Sequence, residues 1–459
     1  MAKSPVILIF DVGKTNKKIL LFNEQYRIVH EENKQLAETE DEDGFACEDV
    51  HLLTQYIGES FARLSGDARF DIKAVNFSAY GASFVYLNQQ RKVFLPLYNY
   101  LKTFSADLQK KFFQQYGGEN NVSRQTASPV LGNLNSGLQL YRLKFERPDS
   151  YSDIKHALHL PQYLSFLLSS TTISDITSIG CHTMLWDFDK KDYHAWVVKE
   201  GVKEKMPPIV NAESIAGYSG NGLPVGTGIH DSSAALIPYL ASFHEPFVLL
   251  STGTWCISLN PFNHTPLTDD ELKQDCLCYL SYKGSPVKAS RLFAGYEHEQ
   301  QTKRLATHFE KGNENYVNVQ YNLDIVDKID RDYNSDPSTG QLPGASVFEK
   351  RELADFENYD EAYHQLIADI IHQQVKSTAL VLKGTDVKRI FVDGGFSKNQ
   401  VYMHLLAAAF PGIEVCAASV PQASAIGAAM AIHAYWNTQP LPSDIIELKL
   451  FSAQKNAVH

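Results

Sequence analysis

The sequence predicts an α/β protein in which one strand-rich unit is used twice, the two copies closing over a cleft. Three observations carry this. An apolar strand, a glycine-containing turn and a second strand open the chain, Val6-Ile-Leu-Ile-Phe-Asp-Val-Gly-Lys-Thr-Asn-Lys-Lys-Ile-Leu-Leu-Phe22. The same series returns as Phe247-Val-Leu-Leu-Ser-Thr-Gly-Thr-Trp-Cys-Ile-Ser-Leu259. Each is followed by a helical stretch and a further strand, 49–64 then 74–78 in the first copy and 362–382 then 389–393 in the second. Period-2 apolar runs bounded by turn residues read as strands, and 3.6-period runs as helices. Pro238 and Pro246 interrupt the pattern around 237–245, so the expected domains are 1–240 and 241–459.

Size and composition fit two such domains. The chain has 459 residues, 44% hydrophobic and 21% charged, enough to bury substantial cores. A formal charge of −11 excludes general nucleic-acid and anionic-membrane binding, which need a basic surface. Six scattered cysteines show no disulfide framework, and Cys276-Leu-Cys278 reads as an alternating strand rather than a zinc knuckle. Met-Ala-Lys-Ser-Pro carries no leader signal, and no apolar run approaches the ~20 residues that span a bilayer. The expected location is the cytoplasm. The sequence leaves the oligomeric state open, a homodimer included.

The first turn contains Gly13-Lys14-Thr15, which looks like the end of a G-x-x-x-x-G-K-[ST] phosphate loop. That loop needs a glycine five positions earlier and a helix afterwards; Leu8 stands at the first place and a strand at the second. The stretch is therefore a β-hairpin with its tip at 11–16. Two readings of the tip stay open: an ordinary hairpin turn, or a turn whose N–H and hydroxyl groups hold phosphate while Asp11 holds a hydrated Mg²⁺.

Three further elements bear on that choice. Leu223-Pro-Val-Gly-Thr-Gly-Ile-His-Asp-Ser-Ser-Ala-Ala235 is a strand leading through His230-Asp231 into a small-residue helix. Asp231 is expected at the helix start, as an N-cap or as a strand-end catalytic carboxylate. Ser251-Thr-Gly-Thr-Trp255 is a second hydroxyl-rich turn, and Val392-Asp-Gly-Gly-Phe-Ser-Lys-Asn399 pairs two glycines that let a backbone lie against a flat ligand.

These four elements, with Tyr359–Ile370 and Gln422-Ala-Ser-Ala-Ile-Gly-Ala-Ala429, resemble the FGGY carbohydrate kinases over nearly the whole chain. That family belongs to the actin/hexokinase/Hsp70 superfamily, so the resemblance implies two ribonuclease H-like, actin-like ATPase domains. His-Asp-Ser and the Ser-Thr-Gly-Thr-Trp turn are most similar to its rhamnulokinase and fuculokinase branch. The resemblance implies ATP and Mg²⁺ as cofactors and a small-molecule sugar as acceptor. It implies Asp231 as the general base, Asp11 and Asp231 at the metal, and Asp11, Gly13, Lys14, Thr15 and Asn16 near the phosphates. Gly253 and Thr254 would meet the phosphates from the second domain, and Gly394, Gly395 and Asn399 would flank the adenosine.

Two departures touch the expected chemistry. Lys14 stands where the family commonly has threonine, either adding a cation near the phosphates or pointing to solvent. The family's Trp-x-Asp-x-Arg sugar motif is replaced by Pro96-Leu-Tyr-Asn-Tyr-Leu-Lys-Thr103, which has no carboxylate. The expected sugar contacts are Tyr80, Gly81, Phe84, Asn99, His230 and Asp231, with Tyr80 and Phe84 equally readable as core aromatics. The leading expectation is phosphorylation of a ketose such as L-rhamnulose or L-fuculose at the 1-position. A pentulose (xylulose or ribulose) or another polyol is the alternative substrate. An actin/Hsp70-type nucleotide switch without sugar chemistry is the alternative of another class.

Overall fold

The computed structural model describes residues 3–329 and 346–452. Two seven-stranded sheets organise them. The first contains β1 (Ser4–Val12), β2 (Lys17–Asn23), β3 (Ile28–Lys34), β4 (Phe70–Ala79), β5 (Ile215–Tyr218), β6 (Pro224–Gly226) and β7 (Ile229–His230), in the order β5-β6-β4-β1-β2-β3 with β7 also on β4. The second contains β8 (Phe247–Thr252), β9 (Cys256–Asn260), β10 (Cys276–Leu280), β11 (Pro286–Leu292), β12 (Arg389–Gly394), β13 (Glu414–Ser419) and β14 (Glu447–Phe451), in the order β10-β11-β9-β8-β12-β13-β14.

Each sheet has the same kernel. A central strand pairs antiparallel with its hairpin partner and parallel with a later strand: β1 with β2 and β4, β8 with β9 and β12. The duplication expected from the two apolar hairpins is thus present in the pairing itself. Both central strands are apolar throughout because both of their faces are covered. Alternate residues of β1 serve different cores: Val6, Leu8 and Phe10 face a layer with α1 (Val50–Ser65), while Ile7 and Ile9 face the other domain. In β8, Val248 and Leu250 face the α4 layer (Tyr359–Leu382), and Phe247 and Leu249 face inward.

The inward core between the sheets holds two helices, α2 (Asp231–Ser242) and α6 (Ala423–Ala431). They cross over: α2 leaves the first sheet and sets Tyr239 against Phe247 and Phe391 of the second. α6 leaves the second domain and packs on β1 and β4, where Asn76 Nδ2 donates to Ala428 O at 2.8 Å. A side chain at Gly427 would place Cβ 1.9 Å from Ala234 O, so the small-residue run 422–429 is what lets the helices touch backbone to backbone. On the outer side of the second sheet, α3 (Ala294–His308) and α5 (Gln400–Ala409) pack with α4. Among the described residues, no helix is long and apolar enough to cross a membrane.

Candidate active site

The ends of β1 and β7 bring Asp11 close to Asp231, and those of β8 and β12 pair at Thr252 and Gly394. In the first turn, Val12 pairs with Lys17 and leaves Gly13–Asn16 as the tip, closed by Gly13 N–H donating to Asn16 O at 2.9 Å. A strand stands on both sides, as the sequence required. Thr15 is exposed, and Asn16 Oδ1 accepts from Gln35 Nε2 at 3.3 Å. The Lys14 ammonium lies 3.1 Å from Glu38 and 5.9 Å from the centre of the Tyr80 ring.

Asp11 and Asp231 meet at the base of this turn. Burial first, then the Asp231 charge, pushes the Asp11 carboxyl from 3.8 up to about 6, while Lys18 works the other way. Ser424 at the start of α6 donates to Asp11 Oδ2 at 3.0 Å. Asp231 is the first residue of α2, not its cap; His230 holds the capping position without a side-chain bond. The expectation of an N-cap fails because the Asp231 Oδ1 turns onto the next residue, accepting from Ser232 N at 2.6 Å and Ser232 Oγ at 3.2 Å. Its side chain stays 37% exposed, so it faces the cleft with an oxygen to spare.

The wall beside Asp231 matches the sugar-site expectations only in part. Gly81 lies against the His230 ring, where a Cβ would come within 2.7 Å of Nε2. That ring is buried, kept neutral by burial, stacked on Tyr279 and 3.4 Å from Asp231. Phe84 is a correction: it is fully buried, its ring 4.0 Å from that of His159, and it supports the wall from behind. Asn99 is another: its amide donates to Ala46 O at 3.0 Å and its oxygen accepts Leu101 N–H, so it ties the loop to itself. Tyr80 turns its hydroxyl away from the cleft to Glu48 Oε2 at 2.5 Å.

Sequence reasoning missed Tyr100 and His182. The Tyr100 hydroxyl is held above its usual range by burial and by Asp231, and its ring meets Tyr80 edge-on at 6.1 Å. His182 lies edge-on to both His230 and Tyr279, with neither ring nitrogen bonded, and burial lowers it to about 3. The carboxylate absent from 96–103 has a spatial neighbour: Glu48 forms an isolated backbone bridge with Leu97.

Across the cleft, the Gly253–Trp255 turn closes through Gly253 N–H to Trp255 O at 2.9 Å. It rests on the start of α3, where a Cβ at Gly295 would fall 1.8 Å from Gly253 O, and Tyr296 N donates to Thr254 O at 3.2 Å. Thr252 Oγ1 donates to Asp393 O at 2.6 Å and accepts Phe396 N–H at 3.0 Å, joining this turn to the double-glycine turn. Gly394 has φ 93°, and a Cβ there would lie 1.9 Å from Thr252 O; Gly395 opens on free space.

Gly253, Gly395 and Asn399 line one cavity of about 460 Å³, together with His298, Tyr316, Gln320 and Gln400. Asn399 caps α5 through Tyr402 N and donates to Tyr363 at 2.7 Å, so it builds the cavity wall. His298, lowered to about 4 by burial, bonds the same Tyr363 hydroxyl at 3.0 Å.

The first domain's strands and Asp231 helix match the FGGY N-terminal domain over residues 6–237, and the second half matches the FGGY C-terminal domain over 244–440. The chain belongs to the FGGY family of carbohydrate kinases. It is 27% identical over 246 residues to a rhamnulokinase of Yersinia pestis bv. Antiqua (strain Angola), covering 50% of this chain and 47% of that one. It is 23% identical over 277 residues to an L-fuculokinase of Escherichia coli (strain K12), covering 55% and 56%. The match therefore spans about half the length of these curated relatives. A xylulose kinase from Rhodospirillum rubrum shares the fold with a TM-score of 0.79 at 16% identity, covering 98% of this chain and 94% of that one.

The donor set of this FGGY chain fits a magnesium nucleotide. Burial, and then the charge of neighbouring Asp231, pushes Asp11 toward the protonated form, and a divalent cation held by these carboxylates would relieve it. Mg²⁺ is commonly held by one or two carboxylates plus substrate phosphates, and Asp11 and Asp231 supply that many. The cavity lined by Gly395 and Tyr316 is large and apolar enough for a planar base.

Proposed function

We propose that the chain transfers a phosphoryl group from ATP to a ketose of the rhamnulose or fuculose type, giving the 1-phosphate. The observation that carries the reading is the position of Asp231. It is a partly exposed carboxylate at a helix start, beside Asp11 at the base of the first glycine turn. Two curated relatives, a rhamnulokinase and an L-fuculokinase, favour a deoxyketohexose over other acceptors.

Asp231 accepts the proton of the sugar hydroxyl as that oxygen attacks the terminal phosphorus. The new P–O bond forms as the bond to ADP breaks, and the proton stays on the carboxylate until product leaves. Such transfers depend on in-line positioning and on neutralised phosphate oxygens. Mg²⁺ held at Asp11 and Asp231 would supply part of that neutralisation. The N–H groups of Lys14 and Thr15 in one turn and of Thr254 and Trp255 in the other, without acceptors among the described residues, supply hydrogen bonds to the phosphates. His230 stays neutral and orients Asp231, while Tyr100 and His182 offer donors and acceptors to sugar hydroxyls. Closure of the lobes excludes water, which suppresses hydrolysis of ATP.

The test is a panel of L-rhamnulose, L-fuculose, xylulose and ribulose with Mg-ATP, reading ADP release and the phosphorylated position by phosphorus NMR. The expected result is ADP release that needs a 6-deoxyketohexose and yields its 1-phosphate. ADP release with a pentulose alone would move the substrate assignment. Nucleotide binding with no sugar dependence would replace the kinase reading by a nucleotide switch.

A further inference from the structure

We propose that a buried chain of three side chains, Lys17, Glu48 and Tyr80, sets the first phosphate turn and locks it to the sugar wall. The inference rests on the kinase reading of the cleft, and none of the three residues is placed to touch phosphate or sugar. They are positioning residues.

Lys17 stands just past the turn with its side chain only 3% exposed. Its ammonium lies 3.1 Å from Gly13 O, 3.0 Å from Lys14 O and 2.7 Å from Glu48 Oε1. The two carbonyls accept hydrogen bonds from it, and Glu48 Oε1 adds an ion pair outside hydrogen-bond geometry. In a trans peptide the C=O and the following N–H point to opposite sides. Drawing the Gly13 and Lys14 carbonyls back onto Lys17 therefore turns the Lys14 and Thr15 N–H groups outward. Among the described residues neither of those N–H groups has an acceptor. Successive outward N–H groups form a concavity for an anion.

Glu48 continues the chain. Its other oxygen accepts the Tyr80 hydroxyl at 2.5 Å, and Tyr80 N–H donates to Val12 O at 3.1 Å, at the root of the same turn. The Tyr80 ring meets Tyr100 edge-on, and Tyr100 lies within the field of Asp231. The turn and the wall beside Asp231 thus share one set of buried contacts.

The charge in this chain distinguishes a positioning device from ordinary packing. A buried ion pair is often matched in stability by two apolar side chains of similar volume, because desolvation offsets the attraction. An apolar pair cannot donate to Gly13 O and Lys14 O. Stability and turn geometry should therefore separate when both charges are removed together.

The experiment compares Lys17→Met, the double variant Lys17→Met/Glu48→Leu and Tyr80→Phe in the full chain. It reads thermal melting, calorimetric affinity for Mg²⁺ with a non-hydrolysable ATP analogue, and the split between KM for ATP and kcat. Lys17→Met is expected to lose both stability and affinity. The double variant is expected to melt within a few degrees of wild type yet bind the analogue at least about tenfold more weakly. Tyr80→Phe is expected to weaken the analogue about threefold and raise KM for ATP with kcat little changed, although Tyr80 reaches no phosphate. A double variant that binds like wild type would overturn the proposal. If the double variant does not fold, unchanged analogue affinity in Tyr80→Phe overturns it instead. A wild type that binds the analogue but phosphorylates no ketose sinks the kinase reading, while the affinity comparison still decides the role of the chain.

Discussion

The two glycine turns, one in each domain, are built from the same kind of hairpin and held by different physics. The first has four residues at its tip and a buried charge beneath it, Lys17 paired with Glu48. The second has three residues; Arg291, paired with Asp275, lies 5.2 Å from the centre of its Trp255 ring, and its backbone is seated by close approach, with Gly295 under Gly253 and Gly394 beside Thr252. A buried ammonium holds the carbonyls of one turn, while the absence of side chains on neighbouring segments seats the backbone of the other. A duplicated fold therefore does not imply duplicated supports. The turns should fail under different substitutions.

The largest effect is expected at the charged support. Lys17→Met leaves Glu48 buried without its partner, a loss that typically costs about 3–5 kcal/mol and is read by denaturant unfolding. At the second turn, Gly295→Ala drives a Cβ toward a carbonyl 1.8 Å away, and backbone must move. Overpacking of this kind costs about 1–3 kcal/mol, and calorimetry should show Mg-nucleotide binding falling more steeply than stability. The matching change at the first turn is mild. A Cβ at Gly13 would stand 3.2 Å from Asn16 O, so Gly13→Ala should alter stability by less than about 1 kcal/mol. Equal sensitivity of Gly13 and Gly295 to alanine would erase the contrast.

Acidity sharpens the same comparison, since only the first turn ends on a paired carboxylate. Asp11 titrates near 3.8 when unfolded and about 6 when folded, so between these values the folded chain binds the proton more tightly. Stability without nucleotide should then fall as pH rises from about 4 to 6 and level off above. Mg-nucleotide, which needs the carboxylate, should bind more tightly over the same rise. Melting curves of wild type and Asp11→Asn across that range check the sign, because the asparagine variant lacks this step.

Much of this architecture is legible in the residues. Uninterrupted apolar runs at Val6–Phe10 and Phe247–Leu250 announce central strands, and the lack of a glycine at Leu8 excludes a P-loop. Gly394 belongs to the paired-glycine turn whose sequence marks a close backbone approach, and its missing side chain lets Thr252 O lie against it. What was not legible depends on direction or on distance along the chain. Asn99 and Tyr100 are neighbours, and only the loop's path decides which one faces Asp231. Lys17 reads as one more lysine in Lys-Thr-Asn-Lys-Lys, and its partner Glu48 lies on a separate small hairpin, Glu38–Glu40 with Ala46–Glu48. His298 and Tyr316 belong to stretches with no motif, and only the fold brings them to the Gly395 cavity.

If Asp231 is the base of a sugar kinase whose two turns hold the nucleotide, turnover depends on its carboxylate and nucleotide binding does not. The most direct test is sugar-dependent ADP release by wild type and Asp231→Asn, with Mg-ADP affinity measured on both. The account predicts a fall in turnover of about 10²–10⁴-fold, with ADP still bound by the variant. Turnover in Asp231→Asn equal to wild type, at any sugar concentration, would contradict it.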